Sequence, residues 1–246
     1  MKTVIYGICG RMGSCLLEHV QNDERFEILY GVDILADQVQ DISVLCELDE
    51  ANIPELIIDF SDPRQIIKIL NFATKHQVAL VIATTGHDKL EKQLIRDAAK
   101  VIPIFYSANL SFGVLVIKKI LRQFAKYLED DYDIEIIEKH HAKKLDAPSG
   151  TALLLGNTII ANTNKGYHFV EGRSGCKKRN KDEIGIHALR GGSIVGEHQV
   201  IFAGSDEVIE INHQALSKAV FVHGAIKAAL FIKEKSSGLY SMDDLI

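Results

Sequence analysis

The sequence predicts an α/β protein: a doubly wound, mainly parallel sheet joined to an α+β part with a mixed open sheet. Three observations predict it. Short apolar strand runs alternate with helical periods through the first half of the chain. A glycine turn, Gly7 to Gly13, separates the first strand from the first helix. Beyond Ile184 three strand-like runs follow one another with only glycine turns between them.

Thr3 to Tyr6 reads as a buried strand, and Ser14 to Val20 as a helix after the glycine turn. Such a turn lets backbone amides approach a pyrophosphate, whose charge the helix N-terminus favours. The glycines are spaced Gly7-x-x-Gly10-x-x-Gly13, and Cys9 stands where the usual dinucleotide fingerprint has its second glycine. Spacing alone leaves a purely structural tight turn equally open. Glu27 to Val32 reads as the second strand, and Asp33 ends it. That is the place for a carboxylate that accepts hydrogen bonds from the adenosine ribose hydroxyls. Asp33 would repel a ribose phosphate and no Arg or Lys immediately follows it, so NADH is expected in preference to NADPH.

The alternation continues with a strand over Leu56 to Asp59, a helix over residues 64–75, and a strand over Val78 to Ala83 that ends in Thr84-Thr85. A helix is expected from His87 to Lys100, then a strand from Val101 to Tyr106 ending in Ser107-Ala108-Asn109-Leu110. Ligands on such sheets bind beyond the carboxyl ends of the strands, where both polar turns fall. Phe112 to Leu128 has helical spacing and leads towards the second part of the chain. There Asp133 to Lys139 reads as a strand, Ala152 to Ala161 as a helix, and residues 162–182 as a polar, basic loop, solvated or else facing a substrate or a subunit. Ile184 to Leu189, Ser193 to Phe202 and Val208 to His213 read as strands, with Arg190-Gly191-Gly192 as a simple turn. Ser217 to Lys235 is helical again and is expected to pack back on the first part. The domain boundaries are therefore 1–110 with 217–246, and 111–216.

A chain of 246 residues accommodates two modest domains. A formal charge of −5 gives no case for nucleic-acid binding. No apolar run would span a bilayer, and the N-terminus enters a strand pattern at once, leaving no room for a signal peptide. The four cysteines have no zinc-like spacing, so no metal site and reduced thiols in a cytoplasm are expected.

The densest chemistry lies in His140-His141-Ala142-Lys143-Lys144-Leu145-Asp146-Ala147-Pro148-Ser149-Gly150-Thr151. Two histidines exchange protons near neutral pH, and Lys144 adds a cation. Ser149, Gly150 and Thr151 precede a helix whose first amides favour an anion. Paired histidines alone would be an incidental surface feature; proton donor, cation and anion pocket in one short loop are not.

This run resembles the dihydrodipicolinate (4-hydroxy-tetrahydrodipicolinate) reductase family. Gly7-x-x-Gly10-Arg11-Met12-Gly13, Asp59-Phe60-Ser61, Thr84-Thr85-Gly86, Ala108-Asn109-Leu110-Ser111, Gly196-Glu197-His198 and Gly224-Ala225 extend the likeness over almost the full length. The resemblance implies a Rossmann-like domain plus a substrate and oligomerisation domain. It implies hydride transfer from NAD(P)H to a small cyclic imine bearing two carboxylates, in lysine and diaminopimelate biosynthesis. By the same resemblance His140 is the general acid, Lys144 the second catalytic cation, His141 a substrate contact, and Gly150 and Thr151 the seat of a substrate carboxylate. Gly7, Ile8, Cys9, Gly10, Arg11, Met12, Asp33, Ala83, Thr84, Thr85, Ser107, Ala108, Asn109 and Leu110 are its cofactor positions, and a homotetramer its assembly. Cys9, Ala83 and Leu110 depart from the usual glycine or alanine, glycine and phenylalanine, and Lys218 replaces a frequent arginine. None removes a catalytic group. Another Rossmann dehydrogenase of amino-acid metabolism, or a nucleotide sensor without turnover, remain the alternatives.

Overall fold

In the computed structural model, which describes residues 1–34 and 38–246, the chain divides into two units: Met1–Ser111 with Ala219–Ile246, and Phe112–Lys218. The first unit runs β1 (Lys2–Tyr6), α1 (Arg11–Val20), β2 (Glu27–Val32), β3 (Gln38–Val39), β4 (Ile42–Leu45), β5 (Leu56–Asp59), α2 (Ile66–His76), β6 (Ala79–Ile82), α3 (Lys89–Ala98) and β7 (Pro103–Tyr106). Among the described residues the second unit holds α4 (Phe112–Leu128), β8 (Asp133–His140), α5 (Gly150–Ala161), β9 (His168–Glu171), β10 (Glu183–Arg190), β11 (Gly196–Ala203) and β12 (Val208–Ala215). The chain then returns to the first unit for α6 (Ala219–Ile232) and β13 (Gly238–Tyr240).

The first sheet has the order β13-β7-β6-β5-β1-β2-β4-β3, parallel throughout except for the β3–β4 hairpin. Strands β1, β5 and β6 are unbroken apolar runs because helices cover both their faces. Val4, Ile57, Leu80 and Ile104 share one core with Ile66 and Ile69 of α2 and Ile95 of α3. Helix α6 lies against α1, β6 and β7, and buries Val222, Ala225, Ala228, Ala229 and Ile232. Its Gly224 is the close point: a Cβ there would stand 1.7 Å from the carbonyl oxygen of Leu110.

Sequence and structure part company at three places in this unit. The β3–β4 hairpin and β13 were not expected; each is too short to show a period. The helix expected from His87 begins at Lys89, because Asp88 and Glu91 form a reciprocal capping box. His87 is thereby left in the turn, buried, with its ring against Tyr106.

The second sheet is mixed, in the order β12-β11-β8-β10-β9. Strand β8 lies between parallel β10 and antiparallel β11. Helices α4 and α5 share one core with the sheet, in which Ile134, Ile136, Ile184, Val200 and Phe202 meet Leu121, Leu155 and Ile159. Two readings of the sequence are corrected here. Residues 162–182 contain β9, whose four residues are too few and too polar at their ends to stand out. Of the basic residues in that stretch Lys177, Lys178 and Lys181 are exposed, as expected, but Arg173 pairs with Glu135 and Glu183, and Arg179 with Glu135 and Asp133. Gly185 makes room for this cluster, since a Cβ there would fall 1.8 Å from Glu135 Oε2.

Candidate active site

The cofactor positions inferred from sequence lie at the carboxyl ends of β1, β2, β6 and β7 of the first sheet. Gly7 leaves β1 with φ +84°, a conformation that favours glycine, and a Cβ would meet the Phe60 carbonyl oxygen at 2.6 Å. Gly13 sits in α1 directly over the turn, where a Cβ would come within 2.1 Å of Gly7 O. Gly10 caps α1 without a side-chain hydrogen bond, and the first turn of the helix carries no acidic residue. The helix N-terminus itself favours an anion such as a pyrophosphate, but the Asp33 carboxylate is bonded to the same turn. Ile8 turns its side chain into the core against Gly31; its N–H donates to Val32 O at 3.4 Å and its carbonyl accepts the Ser14 hydroxyl at 2.9 Å. Asp33 is half-buried, and its Oδ2 accepts the Cys9 backbone N–H at 3.0 Å. The carboxylate assigned to a ribose thus also braces the glycine turn.

Ala83, Thr84 and Thr85 follow β6; the Thr84 backbone N–H donates to Asp59 O at 3.1 Å, and its side chain is buried. Asp59 itself is buried, accepts the Ser61 N–H and hydroxyl, and is pushed above the usual carboxylate range by burial. Ser107 to Leu110 follow β7. Ser107 donates to Asn109 O at 3.1 Å, while Asn109 Oδ1 accepts the Ser111 N–H at 2.7 Å. Leu110 is buried under α6.

In the second unit, β8 delivers His140 to the start of the loop and α5 begins where the loop ends. Helix α5 starts at Gly150, two residues before the sequence pattern, because Ser149 is the N-cap and accepts the Ala152 N–H at 3.2 Å. Gly150 is exposed at the first turn, with no atom within 4 Å of where its Cβ would stand. Thr151 is half-buried next to it. Lys144 Nζ pairs with Asp146 Oδ1 at 2.7 Å, and that hydrogen bond holds the Asp146 carboxyl below its usual value. His141 is half-buried at the head of the same loop. Lys218, considered from sequence as an anion contact, is exposed and precedes α6 by one residue.

Beneath the loop lies a residue to which no role was assigned from sequence. Glu138 is fully buried on β8, and all its acceptor positions are used. Oε2 takes His140 Nδ1 at 2.6 Å and Arg190 Nη1 at 2.8 Å; Oε1 takes the Ser149 N–H at 3.0 Å and Arg190 Nη2 at 2.7 Å. Burial works against the charge on Glu138, but the hydrogen bonds from Arg190, His140 and Ser149 outweigh it and hold the carboxyl below its ordinary value. Arg190, read from sequence as part of a simple turn, is the last residue of β10 and also donates to Asp146 O at 2.7 Å. Burial lowers the pKa of His140, with Glu138 pulling it back up and Lys144 and Arg190 pushing it down. His198 stands edge-on to His140 with ring centroids 5.2 Å apart, and its Nε2 is 2.9 Å from Ser149 Oγ. Burial, then the neighbouring His140, push His198 down to about 3, so it is neutral near pH 7.

A parallel sheet with a phosphate-type glycine turn in one unit, and an acid–base loop over a buried carboxylate in the other, define a pyridine-nucleotide-dependent oxidoreductase. Residues 1–110 match the family described as dihydrodipicolinate reductase, N-terminus, and residues 113–246 match its C-terminus counterpart. The chain belongs to the dihydrodipicolinate reductase family. It is 45% identical over 246 residues to the 4-hydroxy-tetrahydrodipicolinate reductase of Clostridium novyi, covering 100% of this chain and 98% of that one. It is 43% identical over 248 residues to the reductase of the same name from Caldanaerobacter subterraneus, with 100% and 98% covered. The fold matches that of a dipicolinate-bound dihydrodipicolinate reductase from Paenisporosarcina sp. TG-14, with a TM-score of 0.82 at 23% identity over 100% of this chain and 99% of that one.

Proposed function

We propose that the chain reduces 4-hydroxy-tetrahydrodipicolinate to tetrahydrodipicolinate in lysine and diaminopimelate biosynthesis, using NADH in preference to NADPH. The observation that carries this reading is His140, a half-buried imidazole on an ionised carboxylate, followed within one loop by Lys144 and the open N-terminus of α5. A proton donor, a cation and an anion seat are what the reduction of a cyclic imine dicarboxylate requires.

A bound nicotinamide dinucleotide would supply the hydride. Gly7, Ile8, Cys9, Gly10, Arg11 and Met12 would hold the dinucleotide's pyrophosphate through the turn and α1, Asp33 would take its ribose, and the turns at 83–85 and 107–110 would hold the nicotinamide end. His140 gives a proton to the ring atom left electron-rich by hydride addition. Lys144 stabilises charge that develops on the substrate, His141 contacts it, and the Gly150 and Thr151 amides seat a carboxylate. The dipicolinate named with the Paenisporosarcina structure is a dicarboxylate, which agrees with such a seat. The active form in this proposal is a cytoplasmic homotetramer assembled through the second unit's sheet, a state that sedimentation of the purified protein tests.

The experiment is to generate 4-hydroxy-tetrahydrodipicolinate freshly and follow oxidation of NADH and of NADPH. Turnover with a larger kcat/KM for NADH is expected. Absence of turnover with either cofactor overturns the reading, and cofactor binding without turnover makes the chain a sensor.

A further inference from the structure

We propose that Glu138, clamped by Arg190, is a positioning residue for the reduction: it holds the Nδ1 proton of His140, so that Nε2 is the atom that gives up a proton, while Gly196 keeps the approach to Nε2 open. This rests on the reading of His140 as proton donor.

Three observations carry it. First, an ionised carboxylate only accepts, so the 2.6 Å contact between Glu138 Oε2 and His140 Nδ1 requires the hydrogen to sit on Nδ1. Glu138 cannot turn away, because Arg190 grips both its oxygens and the Ser149 N–H fixes Oε1. Second, Gly196 on β11 faces the opposite end of the ring. A Cβ on Gly196 would stand 3.1 Å from Nε2 and 3.4 Å from Cδ2 of His140. The residue lies in an extended strand rather than a left-handed turn, so the backbone does not demand glycine there. What the missing side chain provides is space at Nε2. Third, the charged and titratable groups facing His140 are arranged for one proton. They are Glu138 on β8, Arg190 on β10, Lys144 in the loop and His198 on β11. His198 stays neutral beside it and adds shape without charge.

The step balances. The Nε2–H bond breaks, its electron pair stays on Nε2, and the proton goes to the substrate ring atom that hydride addition left electron-rich. The neutral ring keeps its proton on Nδ1, donated in a hydrogen bond to Glu138, and water restores the Nε2 proton.

The test uses 15N-histidine spectra of the full-length protein together with pH profiles of turnover. Above its titration, His140 in the wild-type protein is expected as the Nδ1–H tautomer; the Nε2–H tautomer overturns the proposal whether or not turnover is seen. In Glu138→Gln, kcat should fall on the order of 100-fold with the NADH KM unchanged. The carboxylate favours the imidazolium, so losing it should move the alkaline limb of kcat to lower pH. Glu138→Asp keeps the charge and should hold that limb near its wild-type position. A Glu138→Gln enzyme with a wild-type limb overturns the proposal. Should that variant fail to fold, Gly196→Ala leaves Glu138 and the Arg190 and Ser149 groups that hold it unaltered. It should cost on the order of tenfold in kcat by displacing Nε2, and an unchanged kcat overturns the assignment of that atom. Failure of the wild-type enzyme to turn over would instead count against the function proposed above, and the tautomer would still be read.

Discussion

At the scale of single residues, His198 has a consequence for stability as well as for shape. Its pKa is depressed to about 3 in the fold against an ordinary value of 6.5, so between those pH values the unfolded chain binds the extra proton. Its contribution is therefore complete above about pH 6.5 and is lost as the pH falls, by at most about 1.4 kcal/mol per pH unit. In His198→Gln the stability difference between pH 7.5 and pH 5, read from urea unfolding, should shrink by about 2 kcal/mol. An undiminished difference would assign the titration to another group. For His140→Gln the expected result is a fall in kcat with little change in cofactor affinity; equal losses in both would make the residue structural. Asp33→Ala should weaken NADH more than NADPH in a binding titration, and the reverse order would refute its ribose role. Asp33 stood out as a candidate from residue type and local order, and His140 and Lys144 from the same cues together with the family resemblance. Glu138 and Arg190 could not. Glu138 looks like one polar residue in an alternating strand. Its burial and its partner 52 residues away exist only because β8 pairs with β10 in a register that sets Arg190 against His140. Register of this kind is non-local, and periodicity does not encode it.

At the scale of elements, two glycines at helix contacts separate packing from binding. Gly224→Ala drives a methyl group into the Leu110 carbonyl and should destabilise the protein by about 1–3 kcal/mol in denaturant unfolding. Gly150→Ala meets no neighbouring atom, so its stability should stay within about 0.5 kcal/mol of wild type. Its substrate KM should nevertheless rise, because a methyl group would crowd the proposed carboxylate seat. An unchanged KM would move the seat elsewhere. The long helices and the buried strands β1, β5 and β6 were legible because each shows its own period or an unbroken apolar run. Strands β3 and β13 were not, since segments of 2 and 3 residues derive their shape from the strand they join, and β9 was not because polar residues stand at both its ends. The pairing of Arg173 and Arg179 was not legible for a related reason: both meet Glu135 of β8, distant in sequence.

At the scale of the whole molecule, the first unit is discontinuous. Its sheet gains β13 on the edge of β7, with Gly238 beside Pro103, only after the second unit has been traversed. The buried face of α6 arrives equally late. Deleting residues 219–246 should therefore unfold the first unit and abolish cofactor binding. Amide hydrogen exchange checks this: protection should vanish from β1 and β5 and persist in β8, whose pairing partners β10 and β11 remain in the chain. Loss of protection in both sheets together would show that the units fold as one. That the chain has two parts, and that its last helix returns to the first, followed from the pattern of periods; the final strand did not.

The bond from the Cys9 amide to Asp33 gives the carboxylate proposed for the ribose a second task in bracing the turn. Exchange of Asp33 for a residue that welcomes a ribose phosphate also strips an acceptor from the third residue of the glycine loop. The donor is a backbone N–H, which every residue but proline supplies, so no change of side chain at position 9 restores the bond. An engineer who alters residue 33 alone inherits a loosened loop along with whatever preference is gained.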